Sequence, residues 1–355
     1  MRDEIADVDR AIVELVAKRF YLAAQVGLEK RFLDRALRDE DVEEIVRKRL
    51  LTECDARGIS VSFSESLVRL LIEESLRWQG EVRKPRPAGQ RILVVGGAGR
   101  MGRWICRYFR SRGCSLVVND LAGPVEGYPF ESDLARGVRE ADVIAVSVPM
   151  SVAAKVLQNI AAVSPKGLVF DVCSLKAPVE RELRAMGRAG LRVASVHPMF
   201  GPTSWPLSSG SITFSDCGNG VAVTEAKELF RATGASLVDV SLDQHDDFMA
   251  SLLGLSHLCL LTFARGVARS PLDLAVLKHS AGTTFSRLSA AAEGLLADSP
   301  GLLREIQALN PHTPSIHRRI RDILGEWQQA AAAPDGDAFL RLVEQTRAYF
   351  GGIVT

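Results

Sequence analysis

Residues 91–102 read RILVVGGAGRMG, a five-residue strand pattern running without a break into a G-x-G-x-x-G turn. Few local features limit a fold so strongly. Gly97, Gly99 and Gly102 permit a tight turn, close approach of backbone to a pyrophosphate, and close packing of the next helix on the strand. Arg100 and Met101 lie inside the motif, and the amphipathic stretch RWICRYFRSRG that follows begins a helix whose first amides would face phosphate. A second strand pattern, SLVVN, leads to Asp120. An acid at that point accepts hydrogen bonds from a ribose diol and repels a 2′-phosphate, so the expected cofactor is NAD rather than NADP.

The pattern repeats downstream. VIAVSV (143–148), LVFDV (168–172) and RVASV (192–196) are further short apolar runs separated by amphipathic helical stretches. That alternation predicts a Rossmann-type, doubly wound parallel sheet over 91–241. Ser147, Val148 and Pro149, closing one of these runs, are expected on the nicotinamide side at the carboxyl end of the sheet. Residues 1–84 instead read as helix throughout, the charged, proline-containing stretch EVRKPRPAGQ (81–90) places a linker at 85–90, and 242–355 is helical again. The predicted fold is therefore multidomain: an all-helical module, a Rossmann-type domain, and an all-helical C-terminal domain.

Bulk properties exclude several classes. The 355 residues are 47% hydrophobic and 25% charged with a net charge of +1, so nothing global favours nucleic acid or an anionic membrane. No window approaches the roughly 20 uninterrupted apolar residues of a membrane span. The opening MRDEIADVDR is unlike a signal peptide. Six cysteines with no CxxC pair argue for reduced thiols in a cytoplasmic protein and against a metal site.

The helical module carries charges where grease belongs. Ile5, Val8, Ile12, Val16, Ala23 and Val26 form one stripe on the first helix, and at about 100° per residue Arg19 and Lys30 fall in its middle. Ser75 and Gln79 share the face of Val68, Leu71 and Ile72, in a helix expected to open with a capping box at Ser62 and Glu65. Asp39 and Glu43 align with Val46 and Leu50. Buried cations need an anionic partner, supplied by the protein or by a ligand.

The spacing R-x16-R-x10-K, with RDEDVE and EESLRWQ, resembles the all-helical chorismate mutases across the whole module. The resemblance implies that Arg19 and Arg2 hold substrate carboxylates, Arg2 from a partner subunit. It implies that Lys30 and Gln79 address the ether oxygen, that Asp39 and Glu43 address the ring hydroxyl end, and that Ser75 touches a carboxylate. The family commonly has an arginine at the position of Val42, for which Arg38 or Arg47 could substitute.

VHPMFGPTS places His197 directly after an apolar strand. Together with the upstream nucleotide motif, HPMFGP resembles the prephenate and arogenate dehydrogenases, and AYFGG echoes their closing helix. The resemblance implies His197 as the group accepting the substrate hydroxyl proton and Ser174 of DVCSLK beside it. Lys176 would support the site electrostatically. Arg287 in HSAGTTFSRLSA would bind a carboxylate, and His257 would lie near substrate. His245, twelve residues earlier and about 120° away on an ideal helix, is assigned to structure, and His279, His312 and His317 to surface or packing.

The implied function is conversion of chorismate to prephenate and then, with NAD, to 4-hydroxyphenylpyruvate, by a homodimer without nucleic-acid or membrane partners. A second reading makes the chain an arogenate dehydrogenase whose helical module serves only dimerisation or regulation.

Overall fold

The computed structural model describes residues 2–32, 39–81, 89–202, 210–233 and 235–351, with the side chains of residues 2, 3, 28, 31, 32, 77–81 and 232, among them Arg2 and Gln79, outside the described set. The chain divides into two compact units, one of Met1–Cys173 and Val179–Ser241, the other of Ser174–Pro178 and Leu242–Thr355.

The first unit begins with α1 (Arg2–Phe32), α2 (Glu40–Asp55) and α3 (Val61–Glu81). Asp39 caps α2, its carboxylate accepting the Val42 amide at 3.2 Å. The capping box expected at Ser62 is not formed. The helix starts one residue earlier, with the Ser64 amide bonded to the Ser60 carbonyl, so Ser62 lies within the first turn. Little of the α1 stripe is covered. Ala23 is buried, whereas Ile5, Val8 and Ile12 are more than half exposed. A single copy of the module leaves these apolar residues facing water.

The sheet has seven strands in the order β2-β1-β3-β4-β5-β6-β7. They are β1 (Arg91–Val95), β2 (Ser115–Asn119), β3 (Val143–Val146), β4 (Leu168–Asp171), β5 (Val193–Pro198), β6 (Ser211–Asp216) and β7 (Ser236–Asp239). The first five are mutually parallel, as expected for a doubly wound domain. The last two depart from the expectation. β6 runs antiparallel to β5, and β7 pairs parallel to β6. Helices α4 (Arg100–Ser111), α5 (Leu134–Glu140), α6 (Met150–Ala162), α7 (Glu180–Arg188) and α8 (Gly220–Phe230) make the crossovers. Between α4 and α8 an aromatic stack fixes the layers. Tyr108 lies 5.3 Å from Trp104 and 5.8 Å from Phe230, nearly coplanar with both, and its hydroxyl donates to the Leu229 carbonyl at 2.8 Å. Burial in this core pushes the Cys106 thiol up to about 12, which leaves it a packing residue.

The second unit holds α9 (Leu242–Met249), α10 (Ser256–Ala268), α11 (Leu274–His279), α12 (Thr283–Leu296), α13 (Pro300–Leu309), α14 (Thr313–Ala332) and α15 (Asp337–Tyr349). α9 and α10 are one helix joined through a π turn at Ala250–Leu255. That wide turn shifts the helical phase, so the 120° separation expected between His245 and His257 does not carry across it. Leu242–Ala268 has a window of mean hydropathy 1.5 and is long and apolar enough, by length and composition, to cross a membrane. Asp243, His245, Asp246, Asp247 and His257 interrupt it, which is why no unbroken apolar run shows in the sequence.

Candidate functional site

Three sets of residues carry chemistry.

In the helical module, Arg19, Lys30, Asp39, Glu43 and Ser75 all line one cavity of about 120 Å³, with Val42, Val46, Ile72 and Leu76 as its apolar wall. Residues scattered from 19 to 75 in the chain thus converge. Arg19 donates to the Leu71 carbonyl at 2.5 Å and to the Ser75 hydroxyl, which itself donates to Leu71 at 2.7 Å. Among the described residues Arg19 makes no ion pair with an acid. Burial, and then the charge of Arg49, hold its guanidinium below the ordinary arginine value. An incompletely solvated cation beside a second cation is the electrostatics of an anion site. Of the two expected substitutes for the arginine missing at Val42, Arg47 does not line this cavity. Arg47 pairs with Glu44 at 2.9 Å and lines a separate groove between α2 and α3, while Arg38 lies outside the described residues.

At the nucleotide loop, β1 enters the glycine turn and α4 leaves it with Gly99 as N-cap and no side-chain cap, so the first amides of α4 point toward the loop. The sheet order puts β1 at the switch point, with β2 on one side and β3 on the other. A Cβ on Gly97 would meet Val118 Cγ1 at 2.6 Å, and one on Gly102 would collide with the Gly96 carbonyl oxygen. Gly96 itself has φ +85° and would collide with the Ser147 carbonyl. The G-x-G-x-x-G spacing misses this residue, although the doubled glycine is its signal. The Ser147 amide is bonded to Val95 at 2.8 Å, fixing the Ser147-Val148-Pro149 turn beside the glycine loop. Asp120 follows β2, and its carboxylate accepts the Ala98 amide at 2.9 Å and the Ala122 amide at 2.8 Å. It is therefore a turn residue and also a brace for the loop. A close-packed glycine cradle at a helix N-terminus, facing an acid, fits a dinucleotide. Gly102→Ala should weaken dinucleotide binding at least about tenfold, measured by titration, because the loop must move to admit the methyl group.

Of the third set, some residues belong to the first unit and some to the second. In the first, His197 sits on β5, buried, with Phe200 beyond it packed 5.0 Å from Trp104. In the second, the segment Ser174–Pro178 is held by Asp246, whose carboxylate accepts the amides of Lys176 and Ala177, each at 2.7 Å. Lys176 is buried. His245 is fully buried and bonded to Asp246 through Nδ1 at 2.8 Å. Burial raises the Asp246 carboxyl, but the His245 bond and the two amides outweigh it and leave it below the ordinary aspartate value. His257 is half-buried on α10, its Nδ1 enclosed without a hydrogen-bond partner among the described residues. Burial holds it below the ordinary histidine value, against a smaller opposing effect of Asp298. Arg287 is exposed on α12 and makes no ion pair among the described residues. His317 bonds Gln307 at 2.9 Å, and His312 lies 4.0 Å from Asp247. No group of three metal-ligating side chains occurs among the described residues.

Comparison with known proteins agrees with the two halves of this description. The family model for chorismate mutase type II matches residues 1–80, and that for the prephenate dehydrogenase nucleotide-binding domain matches residues 126–217. The T-protein of Enterobacter agglomerans is 26% identical over 355 residues, covering 99% of this chain and 92% of its own length. A probable arogenate/prephenate dehydrogenase of Methanocaldococcus jannaschii is 21% identical over 73% of this chain, which spans only 61% of that relative. Among solved structures, prephenate dehydrogenase from Aquifex aeolicus, in complex with hydroxyphenyl propionate and NAD+, shares the fold. Its TM-score is 0.55 at 15% identity, over 74% of this chain and 98% of that one.

Proposed function

Given that the chain belongs to the chorismate mutases through residues 1–80 and to the prephenate dehydrogenases through residues 126–217, we propose that it carries chorismate to 4-hydroxyphenylpyruvate with its two sites. The observation that carries the first half is the unneutralised Arg19 in a cavity shared with Lys30, Asp39, Glu43 and Ser75. Rearrangement of chorismate breaks a C–O bond without covalent help, so the protein contributes by holding a compact conformer and stabilising charge on the departing oxygen. Arg19, and Arg2 of a second copy, hold the carboxylates, and Ser75 assists Arg19. Lys30 and Gln79 hydrogen-bond the ether oxygen, while Asp39 and Glu43 orient the hydroxyl end.

For the second half, Gly96, Gly97, Gly99, Arg100, Met101 and Gly102 form the phosphate loop, with Asp120 toward the ribose and Ser147, Val148 and Pro149 toward the nicotinamide. The acid at Asp120 supports NAD over NADP. NAD, when bound, accepts the hydride from C4 of prephenate. His197 takes the proton of the C4 hydroxyl and Ser174 orients that hydroxyl. Arg287 binds a carboxylate, with His257 near substrate and Lys176 adding positive charge. Loss of CO2 then aromatises the ring. The exposed stripe of α1 and the uncovered apolar helix Leu242–Ala268, punctuated by acids and histidines, support a homodimer and not a lipid contact. Six free cysteines support the cytoplasm. The dehydrogenase reading is tested by supplying the purified chain with NAD and either prephenate or arogenate. NADH and 4-hydroxyphenylpyruvate should form from prephenate, and NADH from arogenate alone would favour the second reading.

A further inference from the structure

We propose that Asp171 is a positioning residue for the dehydrogenase: one buried carboxylate ties the turn leading into Ser174 to strand β5, two residues before His197.

Asp171 ends β4, whose other residues are Leu168, Val169 and Phe170, and it is completely buried. Its Oδ2 accepts the amide of Cys173 at 2.9 Å, closing an Asx turn over Val172, and Cys173 directly precedes Ser174. Its Oδ1 accepts the hydroxyl of Ser195 at 2.7 Å, and Ser195 is the registered partner of Asp171 across the β4–β5 ladder. Ser195 and His197 are two apart on a strand, so they project to the same face.

Val169 and Val193, farther back on the same face, are buried and apolar, but the face turns polar toward the strand ends. On β6, Ser215 pairs with Ser195 and Thr213 with His197, and both hydroxyl oxygens are buried without a hydrogen-bond partner among the described residues. The opposite face of the same strands, Phe170, Ala194, Val196, Ile212 and Phe214, is core. A sheet that only had to pack would carry aliphatic residues on both faces. Placing a carboxylate and three hydroxyls in its interior is costly unless they hold something in place. What Asp171 holds is the relation between two strand ends. Without it the 172–173 turn loses its Asx bond, and β5 loses the Ser195 bond two residues before the histidine. The Ser195 contact can be removed alone, by Ser195→Ala.

The inference rests on His197 and Ser174 being reaction residues, so the test includes a separate check of that reading. In the full chain, Asp171→Ala should lower dehydrogenase kcat about 100-fold, the effect of misplacing a reacting group by roughly 1 Å. KM for prephenate, NAD affinity and mutase turnover should stay near wild type. Amide hydrogen exchange in a peptide covering 172–178 should quicken. Asp171→Asn keeps an oxygen for the Cys173 amide and offers its NH2 to the Ser195 oxygen, so it should restore most of the rate and the protection. Wild-type kcat in Asp171→Ala would overturn the proposal. So would an Asp171→Asn chain as slow as Asp171→Ala, since charge and not position would then be at issue. Should Asp171→Ala lose NAD binding, Ser195→Ala decides: a loss of about tenfold in kcat, the effect of one hydrogen bond, supports the proposal, and an unchanged rate overturns it. His197→Asn is assayed alongside. If it keeps its rate, the reading of His197 fails and the inference with it; if it loses its rate while the Asp171 and Ser195 variants do not, the inference alone fails.

Discussion

Replacing His197 with asparagine should lower dehydrogenase kcat by about 10²–10⁴-fold, the usual contribution of a positioned base. NAD affinity and chorismate turnover should be nearly unaffected. The specificity of that loss follows from the fold. His197 lies on β5, separated from β1 and its glycine loop by β3 and β4. The residues proposed for the mutase belong to α1, α2 and α3 and share no strand with it. Asparagine keeps a hydrogen-bonding amide of similar reach but does not take up a proton near neutral pH. A defect confined to proton acceptance would therefore appear in kcat, measured from NADH formation with saturating prephenate. NAD titration and chorismate depletion on the same preparation provide the controls. A parallel fall in NAD affinity would mean that the histidine mainly supports the domain.

Arg19→Ala should reduce the mutase kcat/KM by about 10²–10³-fold, since the reaction depends on orientation and charge stabilisation alone. Loss of folding would also lower the rate, and the geometry argues against it. Among the described residues Arg19 bonds only a helix carbonyl already served by Ser75, together with the Ser75 hydroxyl, and burial already disfavours its charge. Its removal leaves no acid unpaired among the described residues. The variant should melt no earlier than wild type and should oxidise prephenate at the wild-type rate. A chain with Arg19→Ala and full mutase rate would contradict the assignment of the cavity.

Much of this was legible in the sequence, for physical reasons that differ by region. The five parallel strands show because strands buried on both faces read as unbroken apolar runs, as in RILVV and VIAV. The convergence of Arg19, Lys30, Asp39, Glu43 and Ser75 shows because charges at helical spacing within an apolar stripe are costly unless they meet opposite charge or a polar ligand. β6 was missed. Its sequence, SITFSD, alternates because one face is core and the other is the polar layer around His197, a weaker signal than an apolar run. β7, with Ser236, Val238 and Asp239 all on the surface or near it, has no core pattern to read. The bond from Ser195 to Asp171 joins residues 24 apart and depends on register, which local patterns do not encode. The π turn at Ala250–Leu255 likewise arises from tertiary packing, where the Gly254 carbonyl accepts the Gln307 side chain at 3.0 Å.

The central claim is that one chain performs two consecutive reactions at two sites. The most direct measurement is a single incubation of the purified chain with chorismate and NAD, following NADH and 4-hydroxyphenylpyruvate together. Both should form in equal amounts; Arg19→Ala should abolish NADH from chorismate but not from prephenate, and His197→Asn should consume chorismate and stop at prephenate. Failure of the wild-type chain to produce NADH from chorismate, while it oxidises added prephenate, would contradict the claim.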